Sequence, residues 1–181
     1  MGDRALSRPA VFLDRDGVLN ESVVRAGMPY PPADLSELRV FDGAPGALER
    51  LRDAGYARVV ITNQPDVARG TQHREVVEAI NDELRRLLAI DAVYVCYHGG
   101  AEDCACRKPR PGLLLQAARE LDIDLGRSFM IGDRWRDVAA ATAAGVRAVF
   151  IDYGYAEPKP ADPHVATGSI EEAVALILEG N

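Results

Sequence analysis

The chain lacks what several broad function classes would need. No stretch holds the roughly 20 consecutive apolar residues of a membrane-spanning helix, and residues 1–9 carry no apolar run of the signal-peptide kind. Positive charge is short: 21 Lys and Arg face 28 Asp and Glu, a formal net charge of −7, which works against broad binding to nucleic acid or anionic membranes. Cysteine is scarce, and the three present, Cys96, Cys104 and Cys106, all fall in one short segment. Together these absences predict a cytoplasmic protein with no nucleic-acid or membrane partner, in which clustered thiols favour a metal over disulfides. A monomer is the expectation, though none of these absences bears on it. An acidic protein that handled an anionic ligand would have to concentrate its positive charge locally.

What is present suits a soluble α/β domain. The 181 residues are 48% apolar and 27% charged, and a chain of this size forms one domain, residues 1–181, that buries roughly 70% of its unfolded surface. Short β-branched runs alternate with helical patterns, which predicts a Rossmann-like three-layer fold with a mainly parallel central sheet. The strands read as Ala10–Leu13, Arg58–Ile61, Ala92–Cys96, Ser128–Ile131 and Ala148–Ile151. Between them the spacing predicts a helix near Pro45 with Leu48 and Leu51 inward, and one from Thr71 to Leu88 with Val76, Val77, Ile80, Leu84 and Leu87 inward. A third opens at Pro111 with Leu114, Leu115, Ala118 and Leu121 inward, a fourth runs from Val138 to Ala144 and is closed by Gly145, and a last is started by the Ser169/Glu172 capping box. Residues 15–42 have no clear periodicity and read as a flap above the strand ends, leaving no room for a large cap domain.

The polar residues fall in a regular place. Asp14, Thr62 and Asp133 each terminate a buried apolar strand, so a parallel sheet gathers them along one edge, in the crevice where open α/β sheets bind ligands. In Asp14-Arg15-Asp16-Gly17 two carboxylates one residue apart can share that crevice, one as nucleophile and one as acid and base. Thr62 and Asn63 can hold phosphoryl oxygens, and Lys108 brings a cation beside the helix opening at Pro111. Asp133 suits Mg²⁺, a hard ion that takes oxygen ligands, while Asp137 has two roles open to it, a metal-bound water or Lys108. Each motif alone also reads as an ordinary turn or solvated surface; their order and complementarity carry the reading.

Cys96-Tyr97-His98 and Cys104-Ala105-Cys106 supply three thiolates and an imidazole in loop 96–106, a closed four-ligand set that predicts structural Zn²⁺. His73 and His164 read as structural or exposed.

The four motifs together strongly resemble the haloacid-dehalogenase superfamily of phosphatases, over about Val11 to Ile151. The resemblance implies a phosphomonoester hydrolase with Asp14 as nucleophile, Asp16 as acid and base, Thr62, Asn63 and Lys108 on the phosphoryl group, and Mg²⁺ on Asp14, Asp16 and Asp133. The zinc loop followed by Cys106-Arg107-Lys108-Pro109 is similar to the branch that holds the heptose-1,7-bisphosphate 7-phosphatases and the histidinol-phosphate phosphatases. Asn20, Ala68-Arg69-Gly70 and Lys108-Pro109-Arg110-Pro111-Gly112 resemble the heptose enzymes; the short spacer between His98 and Cys104 resembles the histidinol enzymes, and Pro65-Asp66 departs from the heptose pattern. On the heptose reading Asn20, Arg69, Arg107 and Arg110 are the substrate-binding candidates, the arginines gripping a second phosphate, although Arg69 and Arg110 also read as solvated surface.

Overall fold

The computed structural model describes residues 7–180. Strand β1 (Ala10–Leu13) is buried on both faces, as an all-apolar run must be in a parallel sheet. It is followed by a two-stranded hairpin, β2 (Val23–Arg25) and β3 (Met28–Tyr30), and then by α1 (Ala44–Asp53), β4 (Ala57–Asn63), α2 (Arg74–Leu87) and β5 (Ala92–Cys96). The second half runs α3 (Gly112–Leu121), β6 (Phe129–Gly132), α4 (Trp135–Ala144), β7 (Arg147–Ile151), β8 (Val165–Thr167) and α5 (Ile170–Glu179).

The six-stranded sheet has the order β5-β4-β1-β6-β7-β8 with every pairing parallel. The chain thus builds outward from β1 on one side, crosses back, and builds outward on the other. Such a reversal of strand order opens a crevice at the carboxyl ends of the strands. Side chains alternate across the sheet, and the two faces carry separate cores. Val11, Leu13, Val60 and Ile131 pack with Leu48, Leu51, Ile80, Leu84, Val174 and Ile177 of α1, α2 and α5. Ala10, Phe12, Val59, Ile61 and Met130 pack with Leu113, Leu114, Ala117, Val138, Ala140 and Ala141 of α3 and α4. This is the three-layer α/β fold expected.

Four local expectations are corrected. The flap is not featureless: β2 and β3 close through Ala26 and Gly27, both at positive φ, the two-residue turn that matches strand twist. Strand β8 adds a sixth, edge position to the sheet. In α3 the inward residues are Leu113, Leu114 and Ala117, with Leu115 only half-buried. Leu87 is 43% exposed because it is the last residue of α2, beyond Leu84, where the buried stripe of Val77, Ile80 and Leu84 ends.

Candidate active site

Three carboxylates meet at the ends of β1 and β6. One oxygen each of Asp14, Asp133 and Asp137 can be chosen so that all lie within 4.8 Å of one another, and all three residues are buried. Two glycines make this approach feasible. A Cβ on Gly17, which sits at φ +84°, would stand 1.9 Å from Asp133 Oδ2, and one on Gly132 would stand 2.2 Å from the Cβ of Asp137.

Lys108 ties the cluster together. Its Nζ lies 2.9 Å from Asp14 Oδ1 and 2.7 Å from Asp137 Oδ1, and it donates to the Ile61 carbonyl at 2.8 Å. Burial alone would lower its pKa, but Asp137 and Asp14 outweigh it and the group is pushed up to about 12. The lysine is therefore a permanent cation between two acids. Of the two roles open to Asp137, the geometry shows the second: Oδ1 holds Lys108, while Oδ2 accepts from the Arg134 amide at 3.0 Å.

Asp14 and Asp133 are left with unused oxygens. Asp14 Oδ1 also accepts from the Arg15 amide at 2.8 Å, whereas its Oδ2 has no hydrogen bond among the described residues. Both oxygens of Asp133 are buried and make no well-formed hydrogen bond among the described residues, although the Tyr155 hydroxyl interacts with the carboxylate. A buried carboxylate without partners is costly unless it is protonated or binds a cation. Burial lifts Asp14 to about 6, eased by Lys108 and aggravated by Asp137. Burial, with Asp14 and Asp137, drives Asp133 well above the ordinary carboxylate range. This donor set of free carboxylate oxygens fits a hard divalent cation.

The cysteine loop forms a second cluster. Cys96, His98, Cys104 and Cys106 offer ligand atoms all within 4.8 Å of one another. The Cys96–Cys104 Sγ separation is 3.8 Å and Cys96 Sγ lies 3.6 Å from His98 Nδ1, close to the edges of a tetrahedron built on ~2.3 Å metal–sulfur arms. Cys106 Sγ is closer, 3.1 Å from both Cys96 Sγ and His98 Nδ1. Burial, then Cys106, raises the Cys96 thiol, so a cation would be needed to stabilise its thiolate. Gly112 at the head of α3 lies so close to the loop that a Cβ there would stand 2.2 Å from the Ala105 carbonyl oxygen. The loop is thereby seated on the helix that Lys108 precedes.

A family model described as HAD-hydrolase-like matches residues 105–173. The D-glycero-beta-D-manno-heptose-1,7-bisphosphate 7-phosphatase of Yersinia pestis is 38% identical over 152 residues, 77% of this chain and 78% of that protein. The chain belongs to the HAD-like phosphatases. Escherichia coli strain K12 has a protein of the same name, 38% identical over 154 residues and 78% of each chain. A crystal structure of D,D-heptose 1,7-bisphosphate phosphatase from B. bronchiseptica, complexed with magnesium and phosphate, superposes with a TM-score of 0.82 at 29% identity, covering 96% of this chain and 99% of that one.

In this HAD-like phosphatase the carboxylate cluster floors a cavity of about 320 Å³ walled by Asp16, Thr62, Asn63, Arg69, Arg107 and Lys108 with flap residues Met28 to Pro31. Some expected contacts are different. The Asp16 carboxylate lies outside the three-acid cluster because Arg15, Asn20 and Gln64 all donate to it. Asn20 does not line the cavity; it is fully buried and its amide supports Asp16 at 3.0 Å. The Asn63 side chain is spent on the backbone of Lys108, donating to its carbonyl at 3.0 Å and accepting from its amide at 3.1 Å. Arg110 faces away, held by Asp103 at 2.5 Å and the Cys104 carbonyl at 2.7 Å.

Two arginines that were not anticipated do line the cavity. Arg134 is paired with Glu157, its Nε donating to Oε2 at 2.9 Å. Among the described residues Arg136 has no ion pair with a carboxylate, and burial together with nearby Arg134 and Arg107 presses its pKa down. The signal was available: Asp-Arg-Trp-Arg-Asp places both arginines between the two acids at the head of a helix beside a strand end.

Proposed function

We propose that the chain hydrolyses D-glycero-D-manno-heptose 1,7-bisphosphate at the 7-phosphate, through a phosphorylated Asp14. The observation that carries this reading is the Lys108 ammonium between Asp14 and Asp137, beside an Asp133 carboxylate whose two buried oxygens make no well-formed hydrogen bond among the described residues. The relatives' names supply the substrate. Asp14 and Asp133 would hold Mg²⁺, with Asp137 keeping Lys108 in place; Asp16 would border that ion rather than ligate it through its side chain. Bound there, the ion would neutralise charge on the phosphoryl oxygens.

The chain's own residues do the rest. Asp14 Oδ2 attacks phosphorus, the bond from phosphorus to the sugar oxygen breaks, and Asp16 gives that oxygen its proton. Water then attacks the phosphoryl group, Asp16 takes a proton back, and the bond to Asp14 breaks to release inorganic phosphate. Lys108 stabilises the anionic charge, and the Thr62 hydroxyl with the Asn63 backbone orients the phosphoryl oxygens. Arg69 and Arg107, with Arg134 and Arg136, grip the second phosphate. Zn²⁺ on Cys96, His98, Cys104 and Cys106 is structural, and the whole is a monomeric cytoplasmic enzyme of one domain.

An assay with Mg²⁺ comparing heptose 1,7-bisphosphate with histidinol phosphate tests the substrate. A kcat/KM at least tenfold higher for the heptose compound is expected. Preference for histidinol phosphate would refute the choice.

A further inference from the structure

Among the described residues the most completely buried charge is not in the acid cluster. Arg15 is 0% exposed, between the two aspartates that end β1. Its guanidinium forms a fork on Asp16, Nε to Oδ1 at 3.1 Å and Nη2 to Oδ2 at 3.0 Å. The remaining arm, Nη1, donates to the side-chain oxygen of Asn81 at 3.1 Å. Asn81 is a polar residue on the buried stripe of α2, between Ile80 and Leu84, and is 5% exposed. A core position of that kind is normally apolar, because an unpaired amide there is costly. Here the amide oxygen meets the only guanidinium edge that Asp16 leaves free.

We infer that Asn81 is a positioning residue for the reaction, acting through Arg15 to fix the carboxylate of Asp16 at the cavity wall. A two-point fork fixes the plane of a carboxylate against the plane of a guanidinium, but it leaves that guanidinium free to move as a unit. The third contact, from a different element, removes this freedom. Gln64 and Asn20 then hold Asp16 from the other sides, with Nε2 of Gln64 at 2.9 Å and Nδ2 of Asn20 at 3.0 Å. With 16% of its side chain exposed, Asp16 presents one edge to the substrate and is held on the rest. Helix α2 thus has a part in the chemistry although Asn81 touches no reacting atom.

The inference rests on the reading of Asp16 as acid and base, and the test separates the two. A sugar alkoxide is a poor leaving group and needs its proton during bond breaking, whereas p-nitrophenolate leaves without one. Kinetics of Asn81→Leu, Asn81→Asp and Asp16→Asn should be measured on heptose 1,7-bisphosphate and on p-nitrophenyl phosphate, across pH. Asp16→Asn should lose a hundredfold or more on the sugar phosphate and far less on the aryl phosphate, since general acid–base catalysis contributes about 10²–10⁴-fold. Asn81→Leu should show the same bias on a smaller scale, about tenfold against about twofold, in kcat rather than KM and with an altered pH profile. Asn81→Asp, which keeps an oxygen on Arg15, should restore most of the loss. Arg15→Lys, which removes the fork, supplies the same readout should Asn81→Leu not fold. Equal losses on both substrates in the Asn81 or Arg15 variant, beside a biased Asp16→Asn, would overturn the positioning role alone. An unbiased Asp16→Asn would overturn the acid–base reading and the inference with it.

Discussion

At the scale of single residues the site is governed by one cation among three buried acids. Removing it in Lys108→Met would leave Asp14 and Asp137 facing each other without compensation, so kcat should fall about a hundredfold. The melting temperature should fall too, since breaking a buried ion pair costs roughly 3–5 kcal/mol. Steady-state kinetics and thermal unfolding of that variant check both. The raised pKa of Asp14 gives a pH dependence of definite sign. Without metal the folded state keeps the proton that an ordinary aspartate, near 3.8, would lose, and Asp14 releases it only near 6. Stability of the metal-free protein should therefore fall as pH rises from about 4 to about 6. Magnesium competes with that proton, so its affinity should be at least about tenfold weaker at pH 5 than at pH 7, measured by calorimetric titration. A flat affinity across that window would contradict the burial argument. The residues hardest to read from sequence were those whose side chains turn back into the protein. Asn20 looked like a ligand contact through its place in the Asp-Arg-Asp-Gly-Val-Leu-Asn run, but its amide is needed by Asp16, while Asn63 lines the cavity with its side chain engaged by the Lys108 backbone.

At the scale of elements the legible parts were those with a strong period. The apolar runs ending at Asp14, Thr62 and Asp133 announced parallel strands, and the structure brings all three to the cavity. Elements without a period were missed: β8 has only three residues, and the flap hairpin turns on Ala26-Gly27 rather than on an Asn-Gly pair. In α3 the inward stripe was misplaced by one residue, because Leu113, Leu114 and Leu115 are all apolar and the pattern alone does not say which faces the sheet. Of the two readings of Arg110, cavity or solvated surface, the side-chain contacts follow the second. Its position beside Lys108 suggested the cavity, yet the cysteine loop supplies both Asp103 and the Cys104 carbonyl to hold it. That loop should behave as a metal-dependent element. The purified protein should carry about one zinc, and stripping it with a strong chelator should lower the melting temperature and raise KM, because Arg107 and Lys108 follow directly from Cys106. Metal analysis with unfolding curves before and after zinc is returned tests this; an unchanged melting temperature would mean the loop stands without its ion.

At the scale of the whole molecule an acidic protein has focused its positive charge at one place. The net charge is −7, yet Arg69, Arg107, Lys108, Arg134 and Arg136 all border one cavity at the carboxyl ends of the strands. The fold accounts for this: a reversal of strand order at β1 opens the crevice, and the loops after β4, β5 and β6 each bring a cation to its rim. No helix among the described residues is long and apolar enough to cross a membrane. The account depends most on a covalent step at Asp14, and that step can be observed directly. Enzyme with Mg²⁺ and heptose 1,7-bisphosphate should be quenched in acid within the first turnover and the peptide bearing Asp14 weighed by mass spectrometry. A transient phosphate adduct on Asp14, absent from an Asp14→Asn variant that folds normally and does not turn over, is the expected result. Full turnover by Asp14→Asn, or an adduct on another residue, would contradict it.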